Sequence, residues 1–123
     1  MKINFVDINE NVINSLKKEF EEFDDIKFFC GDILQIGRGA IVSPANSYGY
    51  MDGGIDEVYL EYFGLDLEVA VRNRLDLIGG SLAVGSAFTI KTGDKRIPYL
   101  IFAPTMEMPG EVPPKNCYSA MKA

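Results

Sequence analysis

The chain has 123 residues, 47% of them hydrophobic and 11% aromatic, which suffices for one domain with a core of its own and excludes general disorder. A net charge of −6, from 18 acidic against 12 basic residues, excludes broad electrostatic binding to nucleic acid, which needs a positive footprint. Histidine is absent, and that removes Ser-His-Asp and Cys-His catalysis together with every His-ligated metal site. A phosphorylated small molecule stays open as a ligand, because backbone amides hold phosphate without lysines. No apolar run approaches membrane-spanning length, and the start Met1-Lys2-Ile3-Asn4 lacks a signal-peptide layout. Cys30 and Cys117 make no metal or disulfide framework, so a cytoplasmic protein without a membrane partner is expected.

In chain order, residues 2–7 alternate polar and apolar and predict a strand. Asn9 is placed to cap a helix over 10–23, where Val12, Leu16, Phe20 and Phe23 recur at helical spacing. Glu19, Glu21, Glu22, Asp24 and Asp25 crowd its end, where acidic charge opposes the dipole and frays the last turn. They read as a solvated face rather than a metal site. Residues 26–30 predict a second strand stopped by Gly31-Asp32, residues 35–39 a turn, and residues 40–42 a short buried strand. A helix over 55–63 ends at Gly64, and Asp66 is placed to cap a further helix over 67–78, with Leu67, Val71, Leu75 and Ile78 on its buried face. Residues 87–92 and 97–103 predict an antiparallel hairpin turning at Gly93-Asp94. Residues 106–114, with three prolines and a glycine, predict a loop, and 116–123 have helix-forming composition. Strands alternating with helices argue for a layered α/β domain.

Residues 41–56 stand out, because a strand breaks at Pro44, crosses a Tyr/Gly/Met loop and reaches Gly53-Gly54 just before a helix. Glycines let the backbone approach a ligand, and the helix N-terminus offers N–H groups to an anion. Three residues could carry chemistry, each with a bland alternative. Asp32, at a strand's carboxyl end, could accept from the amine of an adenine, or simply bond nearby amides in a turn. Asn46 could hold sugar hydroxyls or stitch its own loop. Asp56 could orient a water beside a bound sugar, or only complement the helix dipole.

Taken in order, Gly31-Asp32-Ile33, then Val42-Ser43-Pro44-Ala45-Asn46-Ser47, then Gly53-Gly54-Ile55-Asp56, resemble a macrodomain, the ADP-ribose-binding module. Leu82, Gly85, Ala87, Thr89 and the segment from Tyr99 to Pro104 resemble its middle section, so the likeness covers residues 26–123. The resemblance implies a three-layer α/β/α fold with a mixed sheet, in one domain over 1–123 with residues 1–25 as an added strand–helix unit. It implies that Asp32 bonds the adenine amine beside the Ile33 amide, that Asn46 holds the distal ribose, and that the backbone of Gly53, Gly54 and Ile55 lines ribose and diphosphate. Asp56, with Asn46, would be catalytic, the acid activating water for attack at the distal ribose anomeric carbon. The ligand would be ADP-ribose or an ADP-ribosylated macromolecule, the reaction hydrolysis of an ADP-ribosyl linkage or of ADP-ribose 1″-phosphate, and no cofactor is needed.

The chain departs from the pattern in two places. Ser43 replaces the first Asn of the family run, with Pro44 after it, which bears on turnover more than on binding. Family members continue beyond the last helix with further strands and a second glycine-rich loop. By that measure the family-like portion is incomplete at its C-terminal end, and a complementing segment or an oligomer is expected. Two other readings compete: a non-catalytic scaffold that kept the fold, and an S-adenosylmethionine enzyme. Against the latter, residues 7–15 contain no glycine for the required turn.

Overall fold

The computed structural model describes residues 1–108 and 110–123, which form two compact units, Met1–Gly37 and Arg38–Ala123. The first unit is a strand–helix–strand. Strand β1 (Ile3–Asp7) and strand β2 (Ile26–Cys30) pair in parallel, Phe5 opposite Phe28, with helix α1 (Glu10–Glu19) as the connection. Asn9 caps α1 by accepting from the Asn11 amide at 2.9 Å. Phe5 packs on Phe20 and Phe28 with ring centroids 5.2 and 5.9 Å apart.

The helix ends at Glu19 rather than at residue 23. Phe20 leaves helical geometry, and Phe23 bonds back to the Phe20 carbonyl and stays half exposed. The acidic run that opposes the dipole begins where the helix stops. After β2, residues 33–36 form a single helical turn, α2 (Ile33–Ile36), where the sequence suggested a turn over residues 35–39.

In the second unit a three-stranded sheet runs in the order β3 (Ala40–Ser43), β5 (Tyr99–Phe102), β4 (Phe88–Lys91). β3 and β5 are parallel, and β4 and β5 form the expected antiparallel hairpin, so the sheet is mixed. Register aligns Ile41 with Leu100 and Leu100 with Ile90, all three buried. One step along the same face come Ser43, Phe102 and Phe88, the two rings stacked at 4.8 Å. Strand alternation therefore sends Ser43 inward with the core residues.

The hairpin turn is tied by Asp94, whose Oδ1 accepts from the amides of Ile97 and Arg96 and whose Oδ2 accepts from the Tyr62 hydroxyl. The Ile97 amide is the largest influence holding this carboxylate below its ordinary range, and the Arg96 amide, the Tyr62 hydroxyl and the Arg96 charge add to it. Two helices, α3 (Gly54–Phe63) and α4 (Leu65–Asp76), follow β3 and pack on each other. Gly64 ends the first and starts the second at φ +87. Because that glycine turns the chain by itself, Asp66 is not the cap but a first-turn acid that favours the dipole.

Leu67, Val71 and Leu75 are buried as the spacing required, whereas Ile78 lies past the helix end and is half exposed. Gly79 and Gly80, both at positive φ, close that end, with the Gly80 amide bonded to the Leu75 carbonyl. Helix α5 (Pro114–Lys122) starts two residues earlier than expected, since proline suits a first helical position. Of the predicted loop over residues 106–114, Pro109 lies outside the described residues. Among the described residues no helix is long and apolar enough to cross a membrane.

Candidate ligand site

β3 and β5 end level with each other, Ser43 opposite Phe102, and their pairing continues past the strands. The Ala103 amide donates to the Ser43 carbonyl at 3.0 Å, and the Thr105 amide donates to the Ala45 carbonyl at 2.9 Å. Farther along, the Ser47 amide donates to the Met106 carbonyl at 2.9 Å, and the Thr105 hydroxyl donates to the Pro44 carbonyl at 3.2 Å. Two loops are thereby held side by side at the carboxyl ends of parallel strands, where α/β proteins place ligands.

Between these loops and the start of α3 lies a cavity of about 380 Å³. Its wall includes Asn46, Tyr50, Asp52, Asp56 and Met106, and Gly53, Gly54 and Ile55 bring the helix start onto it. The α3 N-terminus has no side-chain cap, so the first-turn amides have no internal partner. Gly54 stands at φ +61, and a Cβ there would meet nothing within 4 Å. Glycine is needed here for its backbone geometry. The volume is in the range of small-molecule sites.

Asn46 is 5% exposed and its amide organises the loop. Oδ1 accepts from the amides of Tyr48 and Tyr50, each at 3.1 Å, and Nδ2 donates to the Tyr50 carbonyl at 2.8 Å. This is the loop-stitching arrangement, and it sits on the cavity wall as well. Gly49, at φ +74, presses against Leu75 and Val71 of α4. The pinned loop displays Tyr48 and Tyr50, stacked at 6.3 Å and each over a third exposed. The Arg72 guanidinium lies 5.0 Å over the Tyr50 ring, which lines the cavity, and reaches Glu68 at 3.5 Å.

Asp56 is 6% exposed, and its Oδ1 accepts from the Ser43 hydroxyl at 2.5 Å. Burial drives its pKa above the ordinary 3.8, and the Ser43 hydrogen bond offsets part of that rise. One turn on, Tyr59 is buried and donates to the Val42 carbonyl at 3.1 Å; burial, then the Asp56 charge, raise its pKa. A carboxyl whose folded pKa exceeds its unfolded one takes up a proton on folding in the window between the two values. Stability therefore falls as pH rises through that window and is fully kept below 3.8. Asp56→Asn keeps the acceptor for Ser43 and cannot ionise. Its melting temperature is expected to exceed that of the native chain at neutral pH and to converge with it in acid. Parallel profiles from calorimetric melts across pH would refute this.

Asn46, Gly53, Gly54, Ile55 and Asp56 thus meet on one cavity. Asp32 and Ile33 belong to the other unit, where Asp32 caps α2 by accepting from the Leu34 amide at 2.9 Å. Tyr50, Asp52, Met106 and Gly110 were not among the residues singled out from the sequence. The level strand ends of β3 and β5 are the signal that brings Met106 to Asn46, and that register is invisible without the pairing. Among the described residues no group of three or more acidic or cysteine side chains could hold a metal.

Residues 4–113 match the model of the Macro-like domain family. The chain belongs to that family. A protein of Aquifex aeolicus (strain VF5), described only as an uncharacterized protein, is 36% identical over 85 residues, 69% of this chain. The match takes in 48% of that relative, so the chain spans about half the length of the curated protein it resembles. Among solved structures, the macrodomain of Mycobacterium tuberculosis DarG superposes with a TM-score of 0.62 over 74% of this chain and 59% of that one, at 20% identity. That likeness shows the fold, a macrodomain's mixed α/β arrangement with helices and a mixed sheet.

Proposed function

We propose that this chain binds ADP-ribose or an ADP-ribosylated group in the cavity of the second unit and hydrolyses the linkage at the distal ribose. The observation that carries the reading is an uncapped helix start, Gly53 to Asp56, opening onto a cavity with Asn46 and Asp56 on its wall. Free first-turn amides suit a diphosphate, and family membership supports ADP-ribose as its bearer. Asn46 borders the distal ribose.

Asp56 serves as general base. A water oxygen bonds to the anomeric carbon as the bond to the leaving oxygen breaks. The electron pair goes to the leaving group, and one water proton passes to the Asp56 carboxylate. A carboxyl with a raised pKa is the better base. No cofactor enters this scheme.

Calorimetric titration with ADP-ribose tests the binding. Gly54→Val strains a φ of +61 and fills open space beside the helix start, and it is expected to weaken binding at least tenfold, about 1.4 kcal/mol. Absence of heat with the native chain, or unchanged affinity in the variant, would remove the ligand from this cavity.

A further inference from the structure

The residue that departs from the family run is bonded to the acid at the centre of the proposed reaction. Ser43 is 1% exposed, on the inward face of β3, and does not line the cavity; Asp56 does. A role for Ser43 as nucleophile is therefore closed, and whatever it does must act through Asp56. Its main chain is fixed by β5, with its carbonyl accepting from the Ala103 amide at 3.0 Å, so the hydroxyl is delivered from a rigid strand. Its Oγ lies 2.5 Å from Asp56 Oδ1, a distance typical of a hydroxyl on a carboxylate. Oδ2 accepts from no side chain or amide among the described residues, and no buried side-chain oxygen there lacks a partner. Oδ2 is therefore not fully buried, on a residue that lines the cavity.

We propose that Ser43 is the positioning residue of Asp56, gripping Oδ1 of the carboxylate so that Oδ2 stays aimed into the cavity. The hydroxyl donates to the carboxylate, the form a general base must hold before it takes a proton from water. Burial has the larger influence on this carboxyl, and the Ser43 hydroxyl is the side-chain hydrogen bond that opposes it. The titratable neighbours are Tyr59 one turn along α3, Asp52 on the same wall and Glu57 beside Asp56. Pro44, Asn46 and Met106, from the β3 and β5 sides, bring no charge. The inference rests on the proposed role of Asp56, but the contact itself can be measured without turnover.

The experiment follows the Asp56 carboxyl by carbon-13 NMR titration in the full chain, with Ser43→Ala and Ser43→Thr beside the native protein and folding checked by circular dichroism. In Ser43→Ala the Asp56 titration is expected to move to higher pH, because the bond that favours the carboxylate is gone. Ser43→Thr, which keeps the hydroxyl, is expected to restore it. Hydrolysis of an ADP-ribosylated substrate should fall roughly 10- to 100-fold in Ser43→Ala, the worth of a hydrogen bond to a charged group, with ADP-ribose affinity nearly unchanged. An Asp56 titration that stays in place in Ser43→Ala overturns the proposal. If the native chain shows no hydrolysis but the Asp56 titration still moves in Ser43→Ala, the Ser43–Asp56 contact stands and only the catalytic reading is overturned.

Discussion

Gly49→Ala is expected to be among the most damaging single-atom additions in the second unit, lowering its stability by roughly 2–5 kcal/mol. Two costs add. The backbone sits at φ +74, where a residue with a Cβ pays about 1–2 kcal/mol. The new methyl would also lie 2.7 Å from Leu75 Cδ1 and 3.0 Å from Val71 Cγ1. Those side chains are 1% and 0% exposed, so neither retreats without disturbing the core, an overpacking cost of about 1–3 kcal/mol. The melting temperature should drop by roughly 10 °C or more. Gly53→Ala is the control, because its φ of −165 is ordinary extended backbone and a Cβ there meets nothing. If the two variants melt together, the 46–50 loop does not lean on α4 as described. Since Asn46 ties this same loop, Gly49→Ala should also weaken ADP-ribose binding.

The second large effect concerns rate. Asp56→Ala should lower hydrolysis by roughly 10²- to 10⁴-fold, the usual contribution of a positioned general base. ADP-ribose affinity should change by less than about threefold, because a base that acts on water contributes little to ground-state binding. Asp56→Asn should lose rate to the same extent while gaining stability at neutral pH. That opposite movement separates a catalytic group from a structural one, as a side chain kept for packing would lose both together. Single-turnover assays beside calorimetric affinities read both quantities. Hydrolysis at the native rate in Asp56→Ala would take this residue out of the mechanism.

Local signals carried the sequence reading a long way. β2 runs over residues 26–30 as its composition indicated, and the Asn9 cap and the β4–β5 hairpin are where the turn chemistry put them. The strand–loop–helix from β3 to α3 was legible because its cues lie within a few residues of one another. Boundaries failed where two signals competed. Gly64 ends one helix and begins the next, so the Asp66 cap was superfluous; α2 needed only one turn, closed by Asp32. The site was legible in part for the same reason. Asn46 and Asp56 lie on the local stretch, but Met106 reaches Asn46 only through the register of two parallel strands some sixty residues apart. Ser43 read as a departure from a pattern, and its pairing with Asp56 needed the strand face and the helix turn together.

The main-chain bonds that continue beyond β3 and β5 have a practical consequence. They hold the two segments through the amides of Ala103, Thr105 and Ser47, and the Thr105 hydroxyl on the Pro44 carbonyl is a side-chain tie among them. At Pro44 and Met106, which enter through their carbonyls, the cavity frame is thus uncoupled from its upholstery. Pro44 and Met106 can be exchanged to alter what the pocket prefers while the frame that aims Asp56 stays where it is, which makes this pair the natural place to retune ligand choice.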